Sequence, residues 1–294
     1  MQKNRGMGAV AVEFAFAFAF AASESAEKTR LLGRTGKCLK RAGLIAGLLV
    51  GCLNGTAFAA TTTTTSVVVP SYFNATSSVA NWNSLTTTAR KVPTTAILNP
   101  NSGPGVKEDP NYAAAVAKLR AAGGKVLGYV STSYGKRSLS AVVTDINTYV
   151  ALYKVDGFFI DEMTSDSQMS HIQFYQSIYN YIKGLNATYS VTANPGTNIP
   201  ELYASLPTAD QFVVFESTAK SYAKYQPMSW QAAYPKSRFV HMVYGATAAQ
   251  LPGVVQYAKA HGAGGVYVTS LSGGNPYKAL PPYWSDEVTD AAKP

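Results

Sequence analysis

Short apolar runs recur about every 25 to 35 residues from position 66 onward. They are SVVVPSYF (66–73), TTAILNP (94–100), KVLGYVST (125–132), GFFIDE (157–162), YSVTANPG (189–196), QFVVFES (211–217), FVHMVYG (239–245) and GGVYVTS (264–270). Each is rich in β-branched and aromatic residues and lacks clean alternation, the pattern of strands buried on both faces. The intervals carry helix signals. DPNYAAAVAKLRAAGG (109–124) offers Asp109 as N-cap, Pro110 in the first turn, an Ala/Leu stripe and a Gly-Gly stop. SHIQFYQSIYNYIKGL (170–185) places Ile172, Tyr175, Ile178, Tyr179 and Ile182 on one helical face. A third helix follows residue 247, and Pro252 makes it start late.

Eight strands alternating with helices predict an α/β fold, a (β/α)8 TIM-type barrel in a single domain over 67–294. An open doubly wound sheet is the alternative, but it needs fewer strands. Residues 60–66 read as a Thr-rich spacer.

Residues 1–59 change the picture. Within 34–59, Lys37, Lys40 and Arg41 precede the apolar stretch Ala42–Leu53, and Ala57-Phe58-Ala59 forms an A-x-A site. These are the three parts of a secretory signal, and the stretch is too short for a membrane span. Cleavage after Ala59 is the favoured reading. Leu49-Val50-Gly51-Cys52 also matches a bacterial lipobox, which would place a lipid anchor on Cys52. Upstream, GAVAVEFAFAFAFAA is a second apolar segment, broken by Glu13, that fits a pilin-like leader or an overextended gene start equally well. The expected protein is secreted or held at the cell envelope. The leader takes 8 of the 25 Lys/Arg and 3 of the 16 Asp/Glu, leaving 17 basic and 13 acidic residues with no basic stripe, which argues against nucleic acid. Both cysteines, Cys38 and Cys52, lie in the leader, so the remainder is expected to fold without disulfides.

In a barrel of this kind, functional side chains stand where strands end and the following loops begin. Tyr72, Asn99, Tyr129, Thr132, Asp161, Glu162, Asn194, Glu216, Tyr244, Thr269 and Ser270 fall there. Only the fourth and sixth runs bring carboxylates. Carboxylates on separate strands over one cavity suit glycoside hydrolysis, and the Tyr and Asn side chains suit a sugar. The bland alternative for Asp161-Glu162 is a helix cap, shared with Ser165 or Asp166. Neither a metal nor a cofactor is expected: His171, His241 and His261 are scattered, and Lys220 lies in a loop rather than at a strand end. His171 and His261 read as surface or packing residues, and His241 as a core histidine that could line the barrel. SLSGGN (270–275) stands where barrels often bind phosphate, but its Gly pair reads as a turn. Trp82, Trp230 and Trp284 read as core rather than stacking residues.

VPSYFN, NPNSGPG, VLGYVSTSYGKR and VDGFFIDE, in this order, resemble the spherulin-4 (spherulation-specific family 4) proteins from about Val67 to the C-terminal helix. That family is similar to glycoside hydrolase family 135, whose characterised members cleave α-1,4-linked N-acetylgalactosamine-containing exopolysaccharide. The resemblance implies a barrel with its active site on Asp161, Glu162 and Glu216. Asp161 is then the expected nucleophile and Glu216 the proton donor, with a raised pKa. Glu162 alternates to the other pleat face unless the strand ends at Asp161, so its role is secondary. Tyr72, Asn99, Tyr129, Asn194 and Tyr244 form the expected substrate floor and Tyr134 a subsite wall.

The expectation is a monomeric, secreted, endo-acting hydrolase of a galactosamine or N-acetylgalactosamine polymer. The runner-up is a carbohydrate-binding or envelope structural protein on the same barrel, which has no need of both Asp161 and Glu216. Strand ends two apart start ~9–10 Å from each other, and inward-leaning Asp and Glu side chains shorten that towards the ~5–5.5 Å of retaining enzymes. Retention of configuration is therefore expected.

Overall fold

The computed structural model describes residues 64–294, so the expected leader over 1–59, with the expected cleavage after Ala59 and both cysteines, lies outside the described residues. All eight apolar runs form strands: β1 (Ser66–Ser71), β2 (Thr94–Leu98), β3 (Lys125–Ser131), β4 (Gly157–Asp161), β5 (Ser190–Ala193), β6 (Gln211–Thr218), β7 (Phe239–Tyr244) and β8 (Gly265–Val268). Each pairs in parallel with its neighbour, and β8 returns to β1 to close the barrel. The helices are α1 (Val79–Thr88), α2 (Pro110–Ala121), α3 (Leu139–Leu152), α4 (Met169–Leu185), α5 (Glu201–Ser205), α6 (Ala219–Tyr222), α7 (Leu251–Ala260) and α8 (Trp284–Ala292).

The helix signals act as expected. Asp109 caps α2 by accepting from the Asn111 N–H at 2.8 Å, and Ile172, Tyr175, Ile178 and Ile182 of α4 are buried against the sheet. The tryptophans serve packing. Trp82 and Trp284 are buried, with the Trp284 indole N–H donating to Thr88 Oγ1 at 3.0 Å. Trp230 packs on Tyr234 and Phe239.

β1 and β8 pair over only two residues each. Above that seam, the Val268 N–H donates to the buried Glu287 carboxylate of α8 at 2.6 Å. Burial drives the Glu287 pKa well above the usual carboxylate range, which favours its neutral form.

Gly157 shows how tightly β4 and β5 meet. Its φ is +152°, and a Cβ there would lie 1.9 Å from the Ser190 carbonyl oxygen. Gly157→Ala is therefore expected to cost about 3 kcal/mol or more of stability. Gly184, within α4, has open space around it, so Gly184→Ala is expected to stabilise by up to about 1 kcal/mol. Thermal denaturation of the two variants side by side checks the contrast. A Gly157→Ala protein that melts like the parent would contradict this account of the β4–β5 contact.

Candidate active site

The expected strand-end residues converge at the C-terminal mouth of the barrel. β4 ends at Asp161, whose register partner on β3 is Ser131. The chain then turns sharply, because Glu162 adopts a left-handed φ of 54°. That is an unfavourable conformation for a non-glycine residue, and it is held by three contacts. The Glu162 carbonyl accepts from the Tyr134 N–H and from Thr132 Oγ1, both at 2.8 Å. Its carboxylate accepts from Ser131 Oγ at 2.5 Å. The strand thus ends where both acidic residues can serve the mouth, with Glu162 leaning along β3. Neither caps a helix: Asp166 accepts from the Gln168 N–H at the start of α4.

Glu216 reaches the mouth through an irregularity. At the start of β6, Gln211 meets Thr192 at the opposite end of the barrel interior. Residues five apart on a regular strand face opposite sides. The register of β6 on β7 slips between Val213 and Phe215, however, adding one residue. Phe215 therefore packs outward on Tyr222 and Tyr225, while Glu216 turns inward. A bulge has re-aimed the side chain.

Asn194 follows β5, and its backbone is pinned to both sides of the β4 turn: its N–H donates to the Ile160 carbonyl and its carbonyl accepts from the Met163 N–H. Its Nδ2 donates to Asp161 Oδ1 at 2.7 Å and to Glu216 Oε2 at 2.6 Å. Two oxygens on one nitrogen can be no farther apart than those distances laid end to end, about 5.3 Å. Asn194 was expected on the substrate floor. Instead, both its N–H bonds are committed to the carboxylates, and it is only 7% exposed.

Tyr129 is partly buried beside Asp161. Its ring stacks on Phe159 and meets Tyr72 edge-on at 5.5 Å. Burial, followed by the charge of Glu216, pushes the Asp161 pKa up to about 6, against the opposing influence of the neighbouring Tyr129, of the Asn194 hydrogen bond and of the Glu162 N–H. Burial and a like charge thus raise the carboxyl that the sequence assigned to the nucleophile.

A cavity of about 540 Å³, within the range of small-molecule sites, opens onto Glu216, while Asp161 and Asn194 lie behind its lining. Tyr72, Asn99, Glu216 and Tyr244 line it as expected. Asn99 also braces the loop beyond β2, accepting from the Gly103 N–H at 2.8 Å. Tyr134, expected as a subsite wall, is not among the lining residues; it stands on the loop after β3, 55% exposed, with φ 55°. The cavity's other wall is the connection after β8, including Asn275 and Tyr277. That connection reads from sequence as a simple turn. Tyr277 donates from its hydroxyl to Glu216 Oε1 at 2.6 Å, and it meets Tyr72 edge-on at 5.7 Å. The sequence signal for it was weak, since a Tyr nine residues past the end of β8 looks like any loop residue.

His241 faces away from the cavity. It is fully buried among Tyr222 and Tyr225, and its Nδ1 lies 2.6 Å from the Tyr222 hydroxyl. Burial drops its pKa to about 3, so it is neutral. His171 pairs with Asp166 at the start of α4, and His261 follows the end of α7.

A profile of the spherulation-specific family 4 matches residues 66–291. Spherulin-4 of Physarum polycephalum is 32% identical over 222 residues, a match that takes in 71% of this chain and 66% of that protein's length. Among solved structures, Sph3 of Aspergillus clavatus in complex with GalNAc has a TM-score of 0.69 and 26% identity over 78% of this chain and 98% of that one. A chitinase from Bacteroides thetaiotaomicron, at 10% identity and a TM-score of 0.50, covers 78% of this chain and 95% of that one, and shares the fold alone. The family match runs from the first strand to the last helix and takes in all three acidic residues of the barrel mouth: the chain belongs to the spherulation-specific family 4.

Proposed function

We propose that this protein is a retaining glycoside hydrolase that cleaves within an exopolysaccharide built on galactosamine or N-acetylgalactosamine. The observation that carries the reading is the single amide nitrogen of Asn194 between Asp161 and Glu216. It caps the distance between the nearest Asp161 and Glu216 oxygens at about 5.3 Å, which supports the close pairing of a retaining enzyme, ~5–5.5 Å between carboxyls. An inverting pair stands ~6.5–9.5 Å apart, to leave room for water. The GalNAc in the structure of Aspergillus clavatus Sph3 supports the choice of sugar.

In the first step Glu216 protonates the glycosidic oxygen as Asp161 attacks the anomeric carbon. The bond to the leaving chain breaks, and the sugar becomes an ester of Asp161. Glu216, now ionised, takes a proton from water, whose oxygen displaces Asp161 and releases the product with its original configuration. Asp161 suits the nucleophile's part because it is short, deep and held by the Asn194 amide at 2.7 Å. Glu216 suits the proton's part because it lines the open cavity, where a leaving group would lie. Glu162, tied to Ser131, stands beside the reacting pair, so Glu162→Gln is assigned a smaller loss than either of them.

The test is to incubate the protein with an α-1,4-linked N-acetylgalactosamine oligosaccharide and follow the first-formed anomer by NMR. The α anomer is expected. A β anomer would remove Asp161 as nucleophile, and no cleavage across a panel of amino-sugar and galactose polymers would remove the hydrolase reading.

A further inference from the structure

Glu216 is gripped from two sides, by Asn194 on Oε2 and by the Tyr277 hydroxyl on Oε1, both at 2.6 Å. The second grip comes from far away in the chain: Tyr277 lies 61 residues beyond Glu216, on the connection between β8 and α8. That connection is fastened at both ends. The Thr269 N–H donates to the Val243 carbonyl at 2.8 Å, and the Leu271 carbonyl accepts from the Gly245 N–H at 2.9 Å. At the far end the Tyr283 hydroxyl donates to the Ala246 carbonyl at 2.8 Å. Between these anchors the Tyr277 N–H is turned onto Asn275 Oδ1 at 2.9 Å. The Tyr277 ring is wedged between Tyr72 and Tyr267 and is only 6% exposed. A side chain so confined has one place for its hydroxyl.

We propose that Tyr277 is a positioning residue for Glu216: its hydroxyl fixes the orientation of the carboxyl that hands a proton to the leaving group. The role rests on the reading of Glu216 as proton donor given above. A glutamate has three side-chain torsions, and Asn194 restrains only one of its oxygens. With the second oxygen held, the carboxyl plane is set as well, and proton transfer depends on that alignment. A ring that merely filled space between Tyr72 and Tyr267 would need no hydroxyl on Glu216.

The experiment compares Tyr277→Phe with the parent on two substrates. One is the α-1,4-linked N-acetylgalactosamine oligosaccharide, whose leaving group needs a proton. The other is dinitrophenyl α-N-acetylgalactosaminide, whose leaving group does not, read as the first-turnover burst of dinitrophenol. Tyr277→Phe is expected to slow the oligosaccharide about 10- to 100-fold, the span of one charge-assisted hydrogen bond, and the burst by less than about threefold. Equal slowing of both substrates, or of neither, overturns the positioning role. Tyr283→Phe loosens the same connection without touching Glu216. If it reproduces the selective loss, the anchoring of the connection is what matters, and the role of the Tyr277 hydroxyl falls. A parent protein inert on both substrates sinks the hydrolase reading and this role together, whereas an active parent with an unresponsive Tyr277→Phe sinks this role alone.

Discussion

Asp161→Asn and Glu216→Gln are each expected to lower turnover about 10³-fold or more while the protein still folds, because each removes one chemical step and keeps the side chain's shape. Folding should survive for a specific reason. Asp161 carries a pKa of about 6, raised by burial and by Glu216. A carboxyl raised in the fold binds its proton more tightly there than in the unfolded chain, so its ionisation weakens the fold as pH rises from about 4 through about 6. Asp161→Asn lifts that penalty at neutral pH, and its melting temperature relative to the parent should improve between pH 4 and pH 7. The two variants are told apart by azide, given a substrate with a good leaving group. In Glu216→Gln, azide attacks the sugar ester on Asp161 without needing a base, and the glycosyl azide keeps the starting configuration. In Asp161→Asn, azide stands in for the missing nucleophile, and the azide product is inverted. The opposite pairing of variant and product would exchange the two roles.

Asn194→Ala carries the second large effect. One nitrogen serves both carboxylates, and its loss removes two charge-assisted hydrogen bonds. Turnover is expected to fall about 10²- to 10³-fold, the sum of two such bonds at the lower end of their range. The pH profile gives the sharper reading. A nucleophile must be ionised, so kcat/KM of the parent should rise with pH through about 6, the pKa of Asp161. Asn194 is one of the donors that hold this pKa down, so the acidic limb should move to higher pH in Asn194→Ala. A parent profile that falls above about 6 would make Asp161 the proton donor. A collapse in rate with the limb unmoved would mean that Asn194 binds the sugar rather than holding the pair.

The sequence by itself determined the barrel and the address of its chemistry. Buried parallel strands leave an apolar signature that needs no partner to be read, and eight such runs with helices between them admit few folds. Carboxylates directly after the apolar residues of GFFIDE and QFVVFES place Asp161 and Glu216 towards the C-terminal ends of their strands, because charge is tolerated only where an apolar run meets solvent. Tertiary structure alone decided how those groups face one another. The side of β6 from which Glu216 points depends on an extra residue at Val214, and a run of four apolar residues has no alternation to reveal it. The left-handed turn of Glu162 is stabilised by bonds from Thr132 and Tyr134 on another strand's loop. Asn194 looked like a group offered to a sugar, since its sequence neighbours do not show that two carboxylates from other strands claim its amide. Tyr277 was invisible for the same reason. Its hydrogen bond spans 61 residues, and contacts of that range arise only when the barrel closes and brings the connection after β8 across the mouth to β6.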